Sequence, residues 1–290
     1  MKKKKQENEK FNCLLFFQYS CISPPEEEKS LESQVQIEKT SDIEENLEQA
    51  KTVIYSLPSP IETSMLLKHA NVSYDESFLN PTNNVTNYNT IKRKALNLGV
   101  YSANLSYTSI FGQQQISINY MMAIKKIGEG LDIMEFVDES TRYRLEDNFN
   151  DRDSVLNILS ETFMKSNAIL SESRSTALTA LVLYGGWIEG LYIATQLANN
   201  SSTLNRILID RISDQGLSLS IVISLLEDNN GNKDVEAVLI DAEKLNLIFN
   251  SFIDVQKSNN DNNQDYYELL EPHLKELITT TSIIRNKYTN

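Results

Sequence analysis

The sequence predicts an all-α protein, a multi-helix antiparallel bundle of about seven to nine helices around one buried, glycine-containing central helix. Three observations lead there. Apolar residues recur at helical spacing in long segments separated by short polar turns. No run of alternating strand residues bounded by hairpin turns interrupts them. One segment, residues 176–198, reads TALTALVLYGGWIEGLYIATQLA and is apolar around its whole circumference, which excludes a surface helix.

Taken in order, the chain opens with the lysine run 2–5, the apolar stretch 11–19, then Ser20 and Cys21. Positive charge, a membrane-entering segment and a small residue before a cut are the physical parts of an export signal. The order Gln18-Tyr19-Ser20-Cys21 resembles the lipid-attachment site of bacterial lipoproteins, which implies a signal peptide over 1–20 and acylation of Cys21. The likeness departs from the usual pattern at Gln18, where an aliphatic residue is customary, and at Asn12, which interrupts the apolar stretch. The alternative is a cytosolic tail with a chance apolar patch. Residues 21–55 are rich in Glu, Ser, Gln and Lys and can bury little, so they read as a flexible acidic tether with a marginal helix over 42–55. The two prolines of Ser56-Leu57-Pro58-Ser59-Pro60 then punctuate the chain, and the helical domain is expected over 56–290.

Within that domain Ile91, Ala95, Leu98, Ser102 and Leu105 share one helix face, and Ile116, Tyr120, Ala123, Ile127, Leu131 and Met134 share the next, with Gly112 between them. Val155, Leu159, Phe163, Ser166 and Leu170 mark a further helix behind Asn150 and Asp151 as candidate caps. Leu204, Leu208, Arg211, Leu219, Val222 and Leu226 follow less regularly. After the polar break Asp228-Asn229-Asn230-Gly231-Asn232 come Val235, Val238, Ala242, Leu245, Phe249 and Phe252, and Leu270, Leu274, Leu277 and Ile284 mark a last helix.

Segment 176–198 is long enough to span a membrane, but Glu189 lies near its middle and its flanks lack basic residues, so a central core helix is the expectation. Gly186 and Gly190, four apart, would let a neighbouring backbone approach closely. The constellation Trp187, Glu189 and Tyr192 is the candidate ligand-binding site. Glu189 and Tyr192 are neighbours on a helix, whereas Trp187 and Glu189 point about 200° apart and share a pocket only if the helix breaks at its glycines. Glu189 would contact a cationic or hydroxylated ligand; the structural alternative pairs it with Arg174, Arg206 or Arg211 while Trp187 fills the core.

Several chemistries are set aside. The formal charge is −13, and loss of residues 1–20, with five lysines against Glu7 and Glu9, would take it to −16, so phosphate backbones should be repelled and no nucleic-acid partner is expected. The two cysteines, Cys13 and Cys21, both lie in the leader region and leave no disulfide for the domain. His69 and His273 are the only histidines and have no metal spacing, so neither a metal site nor a cofactor is expected. Gly128-Glu129-Gly130 lacks the remainder of a phosphate loop, and a calcium loop centred on Gly231 would place Leu226 at its first ligand position.

Leu98-Gly99-Val100-Tyr101-Ser102-Ala103-Asn104-Leu105-Ser106-Tyr107, Phe111-Gly112 and Gly185-Gly186-Trp187-Ile188-Glu189-Gly190-Leu191-Tyr192 together resemble the recurring blocks of an uncharacterised helical lipoprotein family of Gram-negative, Bacteroidetes-type bacteria, over roughly residues 55–285. That family carries no activity, so the resemblance implies a fold and an address but no catalytic residue. Segments 91–111 and 112–134 also resemble one tetratricopeptide hairpin, without a second copy at the spacing such repeats need. Two functions follow as expectations. One is a lipid-anchored envelope protein, on the outer or inner membrane, that binds an envelope protein or small molecule through a groove between helices. The other is an envelope enzyme using Glu189 as general acid or base. A dry, salt-bridged Glu189 would favour the first; a raised pKa beside a water-filled cavity would favour the second. With no nucleophile, metal set or cofactor loop visible, binding or scaffolding is preferred.

Overall fold

The computed structural model of the chain describes residues 67, 69–131, 139–148, 151, 154, 155, 157, 158, 161, 176–200, 205–259 and 265–290. All of them belong to the unit Ile43–Asn290. The expected signal peptide, Cys21, the tether and the prolines at 58 and 60 lie outside the described residues, as do Met134, Leu159, Phe163, Ser166, Leu170, Arg174 and Leu204.

Among the described residues the protein is all-α. Two 3-10 turns, Glu76–Phe78 and Thr82–Asn87, precede α1 (Ile91–Ile110), α2 (Gln114–Glu129), α3 (Glu139–Asn148), α4 (Thr176–Asn199), α5 (Arg206–Glu227), α6 (Lys233–Asn259) and α7 (Tyr266–Thr289). Their starts follow local chemistry. The Thr90, Asn205 and Asp265 side chains accept hydrogen bonds from the backbone N–H groups of Arg93, Leu208 and Tyr267, satisfying donors that a first helical turn leaves free. Asp151, expected as a cap, accepts from Ser154 N–H at 3.3 Å, and Val155 and Ile158 beyond it are buried.

The core is one cluster to which every long helix contributes. Side chains between Thr108, Ser109 and Ser117 close the α1–α2 hairpin, and Phe252 against His273 joins α6 to α7. These sequence neighbours run antiparallel, as short connections require. α4 runs antiparallel to α7, with Tyr184 beside Tyr288 and Gln196 beside Ser282. The most extensive packing joins elements that are not neighbours in sequence, α1 and α4. These two run in the same direction, since Leu96 meets Gly185, Gly99 meets Gly186 and Asn104 meets Glu189.

α4 is the expected central helix, packed on α1, α5, α6 and α7. Among the described residues it alone is long and apolar enough to cross a membrane, yet 67 % of its most apolar stretch is buried within the bundle. The glycines that permit its close approach are not the expected pair. A Cβ on Gly185 would lie 2.0 Å from the Leu96 carbonyl oxygen, and one on Gly99 would lie 2.1 Å from that of Val182. A Cβ on Gly186 would stand in ordinary contact at 3.5 Å, and one on Gly190 would meet nothing within 4 Å. Spacing along α4 could not reveal which side faces α1, whose own contribution is Gly99.

Two residues assigned to apolar faces are exposed. Ile91 sits at the first position of α1, and Arg211 points outward and pairs with Asp214.

Candidate functional site

At the middle of α4 the Glu189 carboxylate is fully buried. Its Oε2 accepts from Arg285 Nε at 2.8 Å, and its Oε1 accepts from Arg285 Nη2 at 3.0 Å and from Asn104 Nδ2 at 2.8 Å. The arginine therefore binds in the two-pronged geometry that matches a planar guanidinium to a carboxylate. The partner lies on α7, which runs antiparallel to α4 and brings Arg285 opposite Glu189. None of the expected partners fills this role: Arg206 bridges to Asp265 and Arg211 to Asp214, while Arg174 lies outside the described residues. Burial opposes the Arg285 charge, but the carboxylate it grips outweighs burial and raises its pKa above the ordinary value.

Tyr192 joins this group through Arg285, whose guanidinium carbon stands 4.6 Å from the Tyr192 ring centroid. Trp187 does not. α4 continues unbroken through its glycines, so Trp187 faces the other way, 6.2 Å from the Tyr184 ring and 6.4 Å from Phe249 of α6. The structure thus separates the sequence-selected trio: Glu189 and Tyr192 share Arg285, and Trp187 is a core residue.

The arginine and the asparagine held by Glu189 also reach outward, to a segment that sequence reasoning left unassigned. Arg285 Nη2 donates to the Phe78 carbonyl at 3.2 Å, and Asn104 Oδ1 accepts from Asn80 N–H at 3.3 Å. Tyr120 of α2 donates to the Asn80 carbonyl at 2.9 Å, and Tyr101 of α1 donates to the Pro81 carbonyl at 2.9 Å. Tyr107 of α1 accepts from Asp75 N–H at 3.0 Å. Residues 75–81 form a strap whose main chain is gripped by side chains of α1, α2 and α7, while Phe78 and Leu79 enter the core. The Asn80 side chain donates to Tyr88 Oη and Asn97 Oδ1 and accepts from Asn84, so every polar group of this buried residue is partnered. Burial raises the pKa values of Tyr101, Tyr107 and Tyr120, keeping their hydroxyls protonated as neutral partners for a main chain.

Asn80, Asn97, Asn104 and Arg285 were missed by sequence reasoning. One signal was present: Asn97 and Asn104 lie seven apart on one face of the helix, among the apolar residues Leu96, Leu98, Val100 and Leu105, where an amide persists only with a partner.

A second buried carboxylate, Asp241 of α6, accepts from Lys244 at 3.1 Å and from Lys287 and Tyr288 at 2.5 Å each. Burial would raise its pKa, but these three donors outweigh burial and hold it below the ordinary 3.8. Among the described residues no group of three or more His, Cys, Asp or Glu is arranged to hold a metal ion.

Comparison with protein-family models, curated proteins and solved structures finds no match to this chain.

Proposed function

We propose that this protein is a lipid-anchored cell-envelope protein whose role is to bind or scaffold a partner rather than to catalyse a reaction. The observation that carries the reading is the full engagement of Glu189. Both carboxylate oxygens are occupied by Arg285 and Asn104, and the group is sealed from solvent. A general acid or base must exchange a proton with a bound molecule within hydrogen-bond reach, whereas this carboxylate orients two side chains that hold protein backbone. The address rests on the leader: a lysine run, an apolar stretch and Ser20-Cys21, followed by the acidic residues Glu26, Glu27 and Glu28. The resemblance of blocks 98–107 and 185–192 to helical lipoproteins supports the same address.

The test is fractionation with intact mass for the wild type and Cys21→Ala, each expressed with its own leader in a Gram-negative host. The wild type is expected in the membrane fraction, shortened and acylated at Cys21, and the variant is expected without acyl chains. Soluble protein retaining Met1 in both samples would remove the envelope assignment.

A further inference from the structure

Five side chains on three helices hold residues 75–81 by their peptide groups: Tyr107 and Asn104 at the N–H groups of Asp75 and Asn80, and Arg285, Tyr120 and Tyr101 at the carbonyls of Phe78, Asn80 and Pro81. Contacts of this kind read a backbone, here the 3-10 turn Glu76–Phe78 with extended residues Asp75 and Leu79 on either side, and do not depend on which chain supplies it. Specificity comes from the side chains between them, Phe78 and Leu79 in the core and Asn80 on Tyr88 and Asn97. The same division between main-chain grip and side-chain pockets operates wherever proteins capture peptides. Glu189 fixes the two side chains, Arg285 and Asn104, that face the strap from within the core. The strap itself is short. Its one 3-10 turn, Glu76–Phe78, holds itself by local bonds such as Ser77 N–H to Asp75 Oδ1, and a second turn, Thr82–Asn87, separates it from the Thr90 cap of α1. It can therefore leave its seat without unwinding a long helix.

We propose that the seat between α1, α2 and α7 is a peptide-binding site closed in cis by residues 75–81, and that a segment of a partner protein with an aromatic–aliphatic–Asn–Pro order, entering through a single turn as the strap does, takes the strap's place. The inference rests on the binding reading above and names the ligand class for it.

A fluorescent peptide of residues 74–82 and a scrambled control are titrated by anisotropy into the full chain, as wild type and as the strap-released double variant Phe78→Ala, Asn80→Ala. The released variant is expected to take the ordered peptide saturably, at least about tenfold more tightly than the wild type, because a closed strap leaves few molecules competent to bind. The scrambled peptide is expected not to bind. Adding Tyr101→Phe or Tyr120→Phe removes one donor to the bound backbone and should weaken uptake about two- to tenfold. A released variant that keeps its helical circular dichroism and takes up no peptide overturns the proposal.

Should the released variant unfold, hydrogen exchange on the wild type decides. Asp75 and Asn80 amides that exchange well before those of α1 show a strap that opens on its own, and exchange only with global unfolding overturns the idea. Fractionation of the Cys21 pair stays separate from these readouts. A lipidated chain that takes no peptide loses this inference alone, and a soluble chain that takes it loses the envelope address alone.

Discussion

Glu189 shows how burial decides what a carboxylate does. In the sequence it is one acid inside an apolar helix, open to catalytic or structural use. In the fold it receives three hydrogen bonds from two residues, and the charge is balanced within the core. Replacement by glutamine strands the buried Arg285 charge, and equilibrium urea unfolding should report a loss of about 3–5 kcal/mol. The double variant Glu189→Gln, Arg285→Met should lose less than the sum of its single changes, because no charge remains unpaired. Asp241 provides a titratable counterpart. Its native pKa is held below the ordinary 3.8, so its contribution is complete above about pH 4 and fades as pH falls through the lower native value. Unfolding midpoints measured between neutral pH and pH 3 should therefore fall less steeply for Asp241→Asn than for the wild type, from a lower starting stability.

At the scale of elements, the α1–α4 contact is set by glycines that let two backbones touch. Gly99→Ala and Gly185→Ala each drive a methyl group into a carbonyl oxygen of the opposite helix, and no side-chain rotation can relieve it. Each should cost at least the about 1–3 kcal/mol usual for overpacking. Gly190→Ala should instead be neutral or add up to about 1 kcal/mol, since the position is exposed and alanine is the better helix former. Thermal unfolding of the three variants checks the contrast. Periodicity located α1, α2, α5, α6 and α7 because each buries a stripe, and α4 stood out because it is apolar all round. It could not choose among the glycines of 185–190, since that depends on which neighbour lies on which side. The parallel α1–α4 pairing was equally hidden, because nothing in either segment encodes the direction of a helix distant in the chain.

For the whole molecule, the legible parts of the site are those whose own helix betrays an unmet partner. Glu189 and Tyr192 stood out because polar and aromatic groups inside an apolar helix call for partners. Arg285 sits at the other end of the domain sequence, and its role appears only when α7 folds back along α4. The strap at 75–81 has no helical period to detect, and its grip by Tyr101, Asn104, Tyr107 and Tyr120 is a property of the assembled helices. The end of α7 is tied to the same neighbourhood, with Tyr88 donating to the Thr289 carbonyl at 3.1 Å and Asn97 to that of Tyr288 at 3.0 Å. Hydrogen exchange across the bundle should find the slowest amides in α1 and α4, the helices at the centre of the packing.

Trp187 gives the chain its own optical reporter. It is the sole tryptophan, 3 % exposed, and it rests against Phe249 on the side of α4 opposite Glu189. Its emission should be blue-shifted in the native protein and move to the red when the core opens to water. Release of the strap, beyond Glu189 on the far side of the helix, should leave that emission unchanged. Intrinsic fluorescence therefore separates local opening from global unfolding without any label.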